Sequence, residues 1–278
     1  MKMIALSLAS GTQAYCEWPA QQAAAPTVVM LHGISSGSGS WQPLVRHLGD
    51  HRLLAWDAPG YGISRILAAS EPTAADYAER LECWLAAMNI EHCILLGHSL
   101  GAMMATAYVA RYPQRVQGLI LADPAEGYRH AGTEEQVRVY QSRWPELERQ
   151  GTVAYAEGRA PRLLRAGTEA ANLERVRAEM GKLNVEGFRR ANWMLAHDAL
   201  ADYLPLPAGL PGVVLCGAED AITPPAGAQA LAARLGLPYR SIEAAGHASY
   251  IDNPSGFAAA VRELSGQVAR TETMALGG

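Results

Sequence analysis

His92-Cys93-Ile94-Leu95-Leu96-Gly97-His98-Ser99-Leu100-Gly101 decides how this chain is read. An apolar run ends in the pattern G-x-S-x-G and passes at once into Ala-rich helical sequence, Ala102 to Arg111. Between a strand and a helix, the central serine sits on a tight turn whose backbone angles an ordinary residue adopts only under strain. Side chains two positions before and two after it would collide across that turn, which accounts for Gly97 and Gly101. The turn lifts the Ser99 hydroxyl above the edge of a sheet. It also aims the Leu100 N–H, at a helix start, towards whatever the serine attacks. The same five residues also read as a plain loop closing a buried strand, because Gly and Ser are ordinary turn residues. The remainder of the chain has to choose between the two readings.

Working outward, short apolar strands alternate with helical stretches. The pattern predicts strands at Thr27–Leu31, Arg52–Trp56, His92–Leu96, Gly118–Ala122, Gly212–Cys216 and Pro238–Glu243. Helices are expected at Trp41–Leu48, Thr73–Met88, Leu100–Tyr112, Pro225–Leu235 and Pro254–Gln267. The order strand, helix, strand implies an α/β fold: a mostly parallel central sheet flanked by helices. From Pro124 to Pro211 the alternation stops. That stretch is charged and helical in character, contains Trp144, Tyr155, Phe188 and Trp193, and is expected to form an inserted helical cap. The expected core is residues 1–123 and 212–270, the cap residues 124–211, and a frayed tail residues 271–278. The N-terminus, Met1 to Leu8, has too short an apolar run for a signal peptide, and Thr12 to Trp18 continues it as a β-hairpin.

A serine hydroxyl needs a base, usually histidine, oriented by a carboxylate. His247, in Ala244-Ala245-Gly246-His247-Ala248-Ser249-Tyr250, falls on a loop just past the last strand, at the same sheet edge as Ser99. Sites in open parallel sheets gather at that edge. His98 is a poor base because successive residues on the turn point apart. Asp220, in Gly217-Ala218-Glu219-Asp220, follows a strand and is the candidate acid. Asp123 competes with it, since an acid after Gly118–Ala122 can also reach the histidine; otherwise Asp123 opens an Asp-Pro turn into the cap. The loop His32-Gly33-Ile34-Ser35-Ser36-Gly37-Ser38-Gly39 follows the first parallel strand and offers the Ile34 N–H as a second oxyanion donor beside Leu100. It lacks the spacing of phosphate-binding loops.

Composition narrows the partners. The 278 residues are 49% hydrophobic with a net charge of −4, and no basic cluster stands out, which speaks against nucleic acid. No run is long enough to cross a membrane. Cys16, Cys83, Cys93 and Cys216 show no metal-ligand spacing, so no metal is expected. Buried thiols at Cys93 and Cys216 suit a reducing, cytoplasmic setting. The expected partner is a small-molecule substrate, with no cofactor; oligomeric state is not readable.

His32-Gly33 with Trp41, the segment Asp57-Ala58-Pro59-Gly60-Tyr61-Gly62-Ile63-Ser64, Gly97–Gly101, Gly217 with Asp220, and Gly246-His247 together resemble the α/β-hydrolase superfamily, in its cap-bearing serine esterase and lactonase branch. The chain order Ser99, Asp220, His247 is that family's order. The resemblance implies a structural role for the Asp57–Ser64 turn. Relatives that open epoxides or carbon–halogen bonds carry Asp where this chain has Ser99, which disfavours those reactions. Carbon–carbon hydrolases of ring-fission products also use Ser, Asp and His, but many carry Asn and Met around the nucleophile where this chain has His98 and Leu100.

The resulting expectation is hydrolysis of a small carboxylic ester or lactone through an acyl-enzyme. Carbon–carbon hydrolysis in aromatic breakdown is one alternative, with Arg189 or Arg190 anchoring a substrate carboxylate. A non-enzymatic ligand receptor on the same fold is another. Ser35, Trp144, Trp193 and Met194 are expected to shape the pocket, with Tyr128 at its entrance. The competing reading makes the aromatic residues the cap's own small core and the arginines a solvated helix face.

Overall fold

The computed structural model of this chain describes residues 3–21 and 25–276, with side chains described through residue 271. Strands β1 (Met3–Leu8) and β2 (Gly11–Trp18) form the expected hairpin, in register from Leu8↔Gly11 to Met3↔Cys16. The remaining strands are β3 (Val28–Leu31), β4 (Leu53–Trp56), β5 (Cys93–His98), β6 (Val116–Ala122), β7 (Gly212–Gly217) and β8 (Tyr239–Ile242). They form one sheet of order β1-β2-β4-β3-β5-β6-β7-β8, antiparallel only at the hairpin and at its junction with β4. Every residue of β3, β4 and β5 is buried. Strands covered on both faces need unbroken apolar runs, and these three have them.

Helices α1 (Gln42–Val45), α2 (Ala74–Ala87) and α3 (Leu100–Arg111) precede the insertion. The helix expected over Trp41–Leu48 is shorter than the pattern suggests. A 3-10 turn, Ser38–Trp41, leads into α1, and beyond it His47 and Leu48 bond back three residues rather than four. Helix α2 starts on a reciprocal cap, in which the Thr73 N–H donates to Asp76 Oδ2 at 2.7 Å.

Between β6 and β7 the described residues form four helices and no strand: α4 (Thr133–Gln141), α5 (Trp144–Arg159), α6 (Ala170–Met180) and α7 (Val185–His197). Helix α5 is broken at Gly151, where φ is +78°. The insertion leaves and re-enters the core through one neck: Gly127 bridges Ala199, and the Leu200 N–H donates to Glu126 O at 2.9 Å. After β7 come α8 (Pro225–Leu235), α9 (Ser249–Asp252) and α10 (Pro254–Leu276). Helix α10 runs on through the start of the expected tail to Leu276, and Thr271 to Leu276 contains no Gly or Pro to stop it. Residues 277 and 278 of that expected tail lie outside the described residues.

Two of the contacts that fix the insertion to the core lie at α2 and at the Asp57–Ser64 turn. Asp198, just past α7, accepts from the Ala74 N–H at 2.6 Å, placing a carboxylate at the positive end of α2. Gly187 of α7 sits directly on Gly60, in the Asp57–Ser64 turn; a Cβ on Gly187 would meet the Gly60 carbonyl oxygen at 2.0 Å. Among the described residues no helix is long and apolar enough to cross a membrane. Cys16, Cys93 and Cys216 are buried and Cys83 is exposed, all as free thiols.

Gly158 and Gly187 predict opposite effects of the same substitution. Gly158, inside α5, would meet nothing within 4 Å. Gly158→Ala is expected to raise thermal stability by about 0.5–1 kcal/mol, through lower unfolded-state entropy. Gly187→Ala is expected to lower it by about 1–3 kcal/mol, as a backbone contact is forced apart. Melting curves of the two variants check this, and a neutral Gly187→Ala would contradict the close contact.

Candidate active site

Ser99 follows β5 and precedes α3 with φ +53° and ψ −117°. A non-glycine residue held there costs on the order of 1–3 kcal/mol, so surrounding structure must hold it. Three backbone bonds do so. The Ser99 N–H donates to Ala122 O at 2.9 Å, and Ser99 O accepts from the N–H groups of Ala102 at 2.9 Å and Ala125 at 3.2 Å. The turn closes tightly enough that a Cβ on Gly97 would lie 2.4 Å from Gly101 O, and one on Gly101 would lie 2.3 Å from Leu31 O.

The serine does not stand alone. Its Oγ lies 3.0 Å from Nε2 of His247, on the loop after β8. The other ring nitrogen, Nδ1, lies 2.9 Å from Oδ2 of Asp220, on the loop after β7. Asp220 accepts only, so Nδ1 carries the proton and Nε2 is free to accept from the Ser99 hydroxyl. The remaining Asp220 oxygen accepts from the N–H groups of Ile222 at 2.7 Å and Thr223 at 3.1 Å. Burial opposes ionisation of Asp220, but the bonds from His247, Ile222 and Thr223 outweigh it and hold the carboxyl below its usual range. All three side chains are buried, with Ser99 7% exposed. Chemically, this arrangement can pass a hydroxyl proton to an imidazole whose resulting charge is already faced by a carboxylate.

Asp123, the competing acid, lies elsewhere in the network. Its Oδ1 accepts from the Gly217 N–H at 2.8 Å and its Oδ2 from Ser249 Oγ at 2.5 Å. Gly217 opens the loop carrying Asp220 and Ser249 follows His247, so one side chain braces both loops. Burial, then the neighbouring Asp220 carboxylate, push the Asp123 pKa well above the carboxylate range. His98 is neutral for similar reasons. Burial and the nearby His247 pull its pKa down to about 3, and its Nε2–H donates to the His247 carbonyl at 2.8 Å. Asp123, Cys216 and Asp220 bring ligand-type atoms within 4.8 Å of one another. The two carboxyls are already engaged as described, and Cys216 Sγ donates to Thr223 O at 3.4 Å.

The glycine-rich loop lies over Ser99: a Cβ on Gly33 would meet Ser99 Cβ at 3.1 Å. His32 sets its orientation. The Ala58 N–H donates to Nε2 at 3.0 Å, so Nδ1 carries the proton and donates to Gly33 O at 2.8 Å. Burial keeps the ring neutral. The Gly33 carbonyl belongs to the same planar peptide as the Ile34 N–H, and in a trans peptide the two point opposite ways. Fixing one therefore aims the other. Among the described residues neither the Ile34 nor the Leu100 N–H has a protein acceptor.

Two cavities meet at Ser99. One, of about 630 Å³, includes Ser35, His98, His247, Arg143, Tyr155, Arg159, Arg162 and Arg165 in its lining. The other, of about 280 Å³, is lined by Leu100, Pro124, Ala125, Tyr128, Leu195 and Pro224, and shares Ile34, Ser99, Arg143 and Ile222 with the first. Ser35 thus lines the larger cavity and Tyr128 the smaller, while Trp144, Trp193, Met194 and Arg190 line neither. Trp193 stacks on His197 at 3.7 Å and meets Tyr140 edge-on at 5.2 Å, while Trp144 packs on Tyr140 at 5.8 Å. Met194 is fully buried. Met194 lies in the core because α7 turns its apolar face onto α4 and α5, Trp144 packs against that core, and Trp193 is half-exposed on the side of Tyr140 and His197. Arg190 is taken up by Glu186 and the carbonyls of Leu67 and Ala69.

The sequence reading missed the arginines at Ser99. The run Arg159-Ala160-Pro161-Arg162-Leu163-Leu164-Arg165 was the available signal, but Arg143 joins it only in three dimensions. The expectation that no basic cluster stands out therefore fails locally.

Residues 26–254 match the family model described as the alpha/beta hydrolase fold. A (lyso)-N-acylphosphatidylethanolamine lipase from Bos taurus is 41% identical over 101 residues, 35% of this chain and 30% of the lipase. The chain thus spans about a third of the length of the curated relative it matches. A thermophilic esterase from Thermogutta terrifontis, with malate bound, superimposes with a TM-score of 0.83 at 24% identity, covering 97% of this chain and 100% of the esterase. An enol-lactonase from Burkholderia xenovorans superimposes with a TM-score of 0.77 at 21% identity, covering 94% of this chain and 99% of the lactonase. The strained serine turn after β5, the order of the sheet and the family match over most of its length make this chain a member of the α/β-hydrolase fold family.

Proposed function

We propose that this protein is a serine hydrolase of small-molecule carboxylic esters or lactones, with the helical insertion acting as a cap over the site. The observation that carries the proposal is the hydrogen-bond chain Ser99–His247–Asp220, with links of 3.0 and 2.9 Å, beside two unengaged backbone N–H groups. The ester and lactone chemistry named for two structural neighbours agrees with it.

Ser99 Oγ attacks the carbonyl carbon as its proton moves to His247 Nε2. The carbonyl π electrons move onto oxygen, and the N–H groups of Ile34 and Leu100 receive that charge. When the carbon–oxygen bond breaks, His247 returns the proton to the leaving alkoxide, and an acyl group remains on Ser99. Water then gives its proton to His247, attacks the acyl carbon and releases the acid, and the proton returns to Ser99 Oγ. Asp220 holds the ring in the required tautomer throughout and faces its positive charge. Arg189 and Arg190, the expected carboxylate anchors for carbon–carbon cleavage, are both bonded to Glu186 and line neither cavity at Ser99.

A fluorophosphonate probe is expected to label Ser99, and Ser99→Ala to fold normally while losing both labelling and p-nitrophenyl ester turnover. Peptide mass mapping decides this; label on another serine would overturn the mechanism.

The two acids should separate cleanly. Asp220→Asn is expected to lower kcat by roughly 10³–10⁴, through loss of the histidine tautomer. Asp123→Asn should cost far less, because its amide can accept from Gly217 and donate to Ser249. Stability gives an independent reading. A carboxyl whose pKa is raised in the folded state keeps a proton that the unfolded chain has lost, so stability falls as pH rises above about 4. Asp123→Asn removes that slope. Its melting temperature should gain on wild type between mildly acid and neutral pH, and a parallel pair of curves would refute the protonated assignment.

His32→Ala frees the peptide that aims the Ile34 N–H. Since deleting an oxyanion donor costs roughly 10²–10³ in kcat, loosening one should cost about ten- to a hundredfold, with KM little changed. A wild-type kcat in steady-state assays would show that Ile34 takes no part.

A further inference from the structure

The two cavities at Ser99 differ in chemistry. The smaller is walled mainly by Leu100, Pro124, Ala125, Leu195 and Pro224, together with Tyr128, Thr223 and Glu126, whose carboxylate is paired with Arg234. The larger has four arginines in its lining and one acidic residue, Glu219. Arg143 belongs to both, so its side chain sits where they join at the serine.

Each arginine has a different standing. Arg159 pairs with Glu146 at 2.7 Å, and Arg165 donates to Ala166 O at 3.2 Å. Arg162 is exposed at the mouth. Arg143 is more deeply placed, and among the described residues no carboxylate forms an ion pair with it. Burial pulls its pKa down and Arg159 and Arg162 push the same way, with only the phenols of Tyr155 and Tyr128 acting against them. A half-buried guanidinium with no counter-charge and like-charged neighbours carries an unbalanced electrostatic cost. An anion arriving there removes that cost, and a planar fork suits a carboxylate or phosphate.

The arginine-bearing segment is also built in rather than draped over the opening. Asp252 Oδ2 accepts from the Arg165 N–H at 2.7 Å and from the Gly246 N–H at 2.9 Å, and its Oδ1 accepts from Thr168 Oγ1 at 2.6 Å. The Ala248 N–H donates to Leu163 O at 2.7 Å. The loop bearing His247 and the segment bearing Arg162 and Arg165 are one fastened unit.

Resting on the hydrolase reading above, we infer that the substrate is an ester or lactone with two unlike arms: an anionic arm, carboxylate or phosphate, held by Arg143 with Arg159 and Arg162, and an apolar arm in the smaller cavity. Arg143 is thus a specificity-determining residue, and neutral esters are incomplete substrates.

The test compares mono-p-nitrophenyl glutarate with p-nitrophenyl butyrate at low ionic strength. Wild type is expected to favour the glutarate ester in kcat/KM, and the preference should shrink as salt is added. Arg143→Gln should cut the ratio of the two kcat/KM values by about tenfold or more, mainly through the glutarate KM, and Arg143→Lys should restore part of it. Arg149→Gln, on the exposed side of α5, should leave the ratio unchanged. Free glutarate and inorganic phosphate, titrated calorimetrically into Ser99→Ala, show which anion is preferred. Binding of either that is lost in Ser99→Ala/Arg143→Gln supports the inference even if no ester turns over, an outcome that would defeat only the hydrolase reading. Turnover of both esters with a ratio indifferent to salt and to Arg143→Gln, or no binding of either anion, would overturn the inference and leave the hydrolase reading standing.

Discussion

Much of this structure exists to hold one residue in a conformation it would not choose. Ser99 is strained at φ +53°, and the strain persists because β6, α3 and the Pro124–Ala125 turn each bond to its backbone. The same constraint explains the two glycines, since a turn this tight brings Gly97 against Gly101 and Gly101 against Leu31. It also accounts for the burial of β3 and β5: a rigid sheet edge is needed on which to rest the turn. What the molecule gains is a hydroxyl projecting from the backbone at a fixed angle, with an N–H already pointing at the same space.

Around that residue, polar groups brace one another instead of acting on a ligand. Asp123 joins the loops after β7 and β8, His98 holds the carbonyl of His247, and His32 fixes the peptide that carries the Ile34 N–H. Tyr250 adds a further tie, its hydroxyl donating to Ser40 at 3.1 Å while its ring stacks on Trp41 at 4.2 Å. These histidines and acids resemble reacting groups by type alone. Burial pulls the His98 pKa down to about 3, which makes it a weak base, and pushes that of Asp123 up, while both side chains hold fixed hydrogen bonds to the loops around His247.

The sheet and Ser99, Asp220 and His247 were legible in the sequence because each rests on local grammar: an apolar run, a glycine-permitted turn, then a polar residue at the strand's carboxyl end. The hairpin was legible for the same reason. The pocket was not. Trp144, Trp193 and Met194 are large apolar residues in an inserted segment, and whether such residues face a ligand or each other depends on how α4, α5 and α7 rotate as they pack. Helical periodicity gives a face but not its neighbour. Arg143 and Arg190 illustrate this. Arg190 finds Glu186 four residues earlier on its own helix, a pairing that spacing alone could have indicated. Arg143 is brought to the same cavities as Ser99 by the fold, from 44 positions further along the chain.

The fastening of Arg165, Thr168 and Gly246 to Asp252 has a mechanical corollary. If the insertion swung upward as a rigid flap, it would either tear those bonds or drag the His247 loop with it, and the 3.0 Å link to Ser99 would break. Traffic in and out is therefore confined to movements that leave the Leu163–Thr168 border still. With that segment still, the imidazole stays in register with the serine.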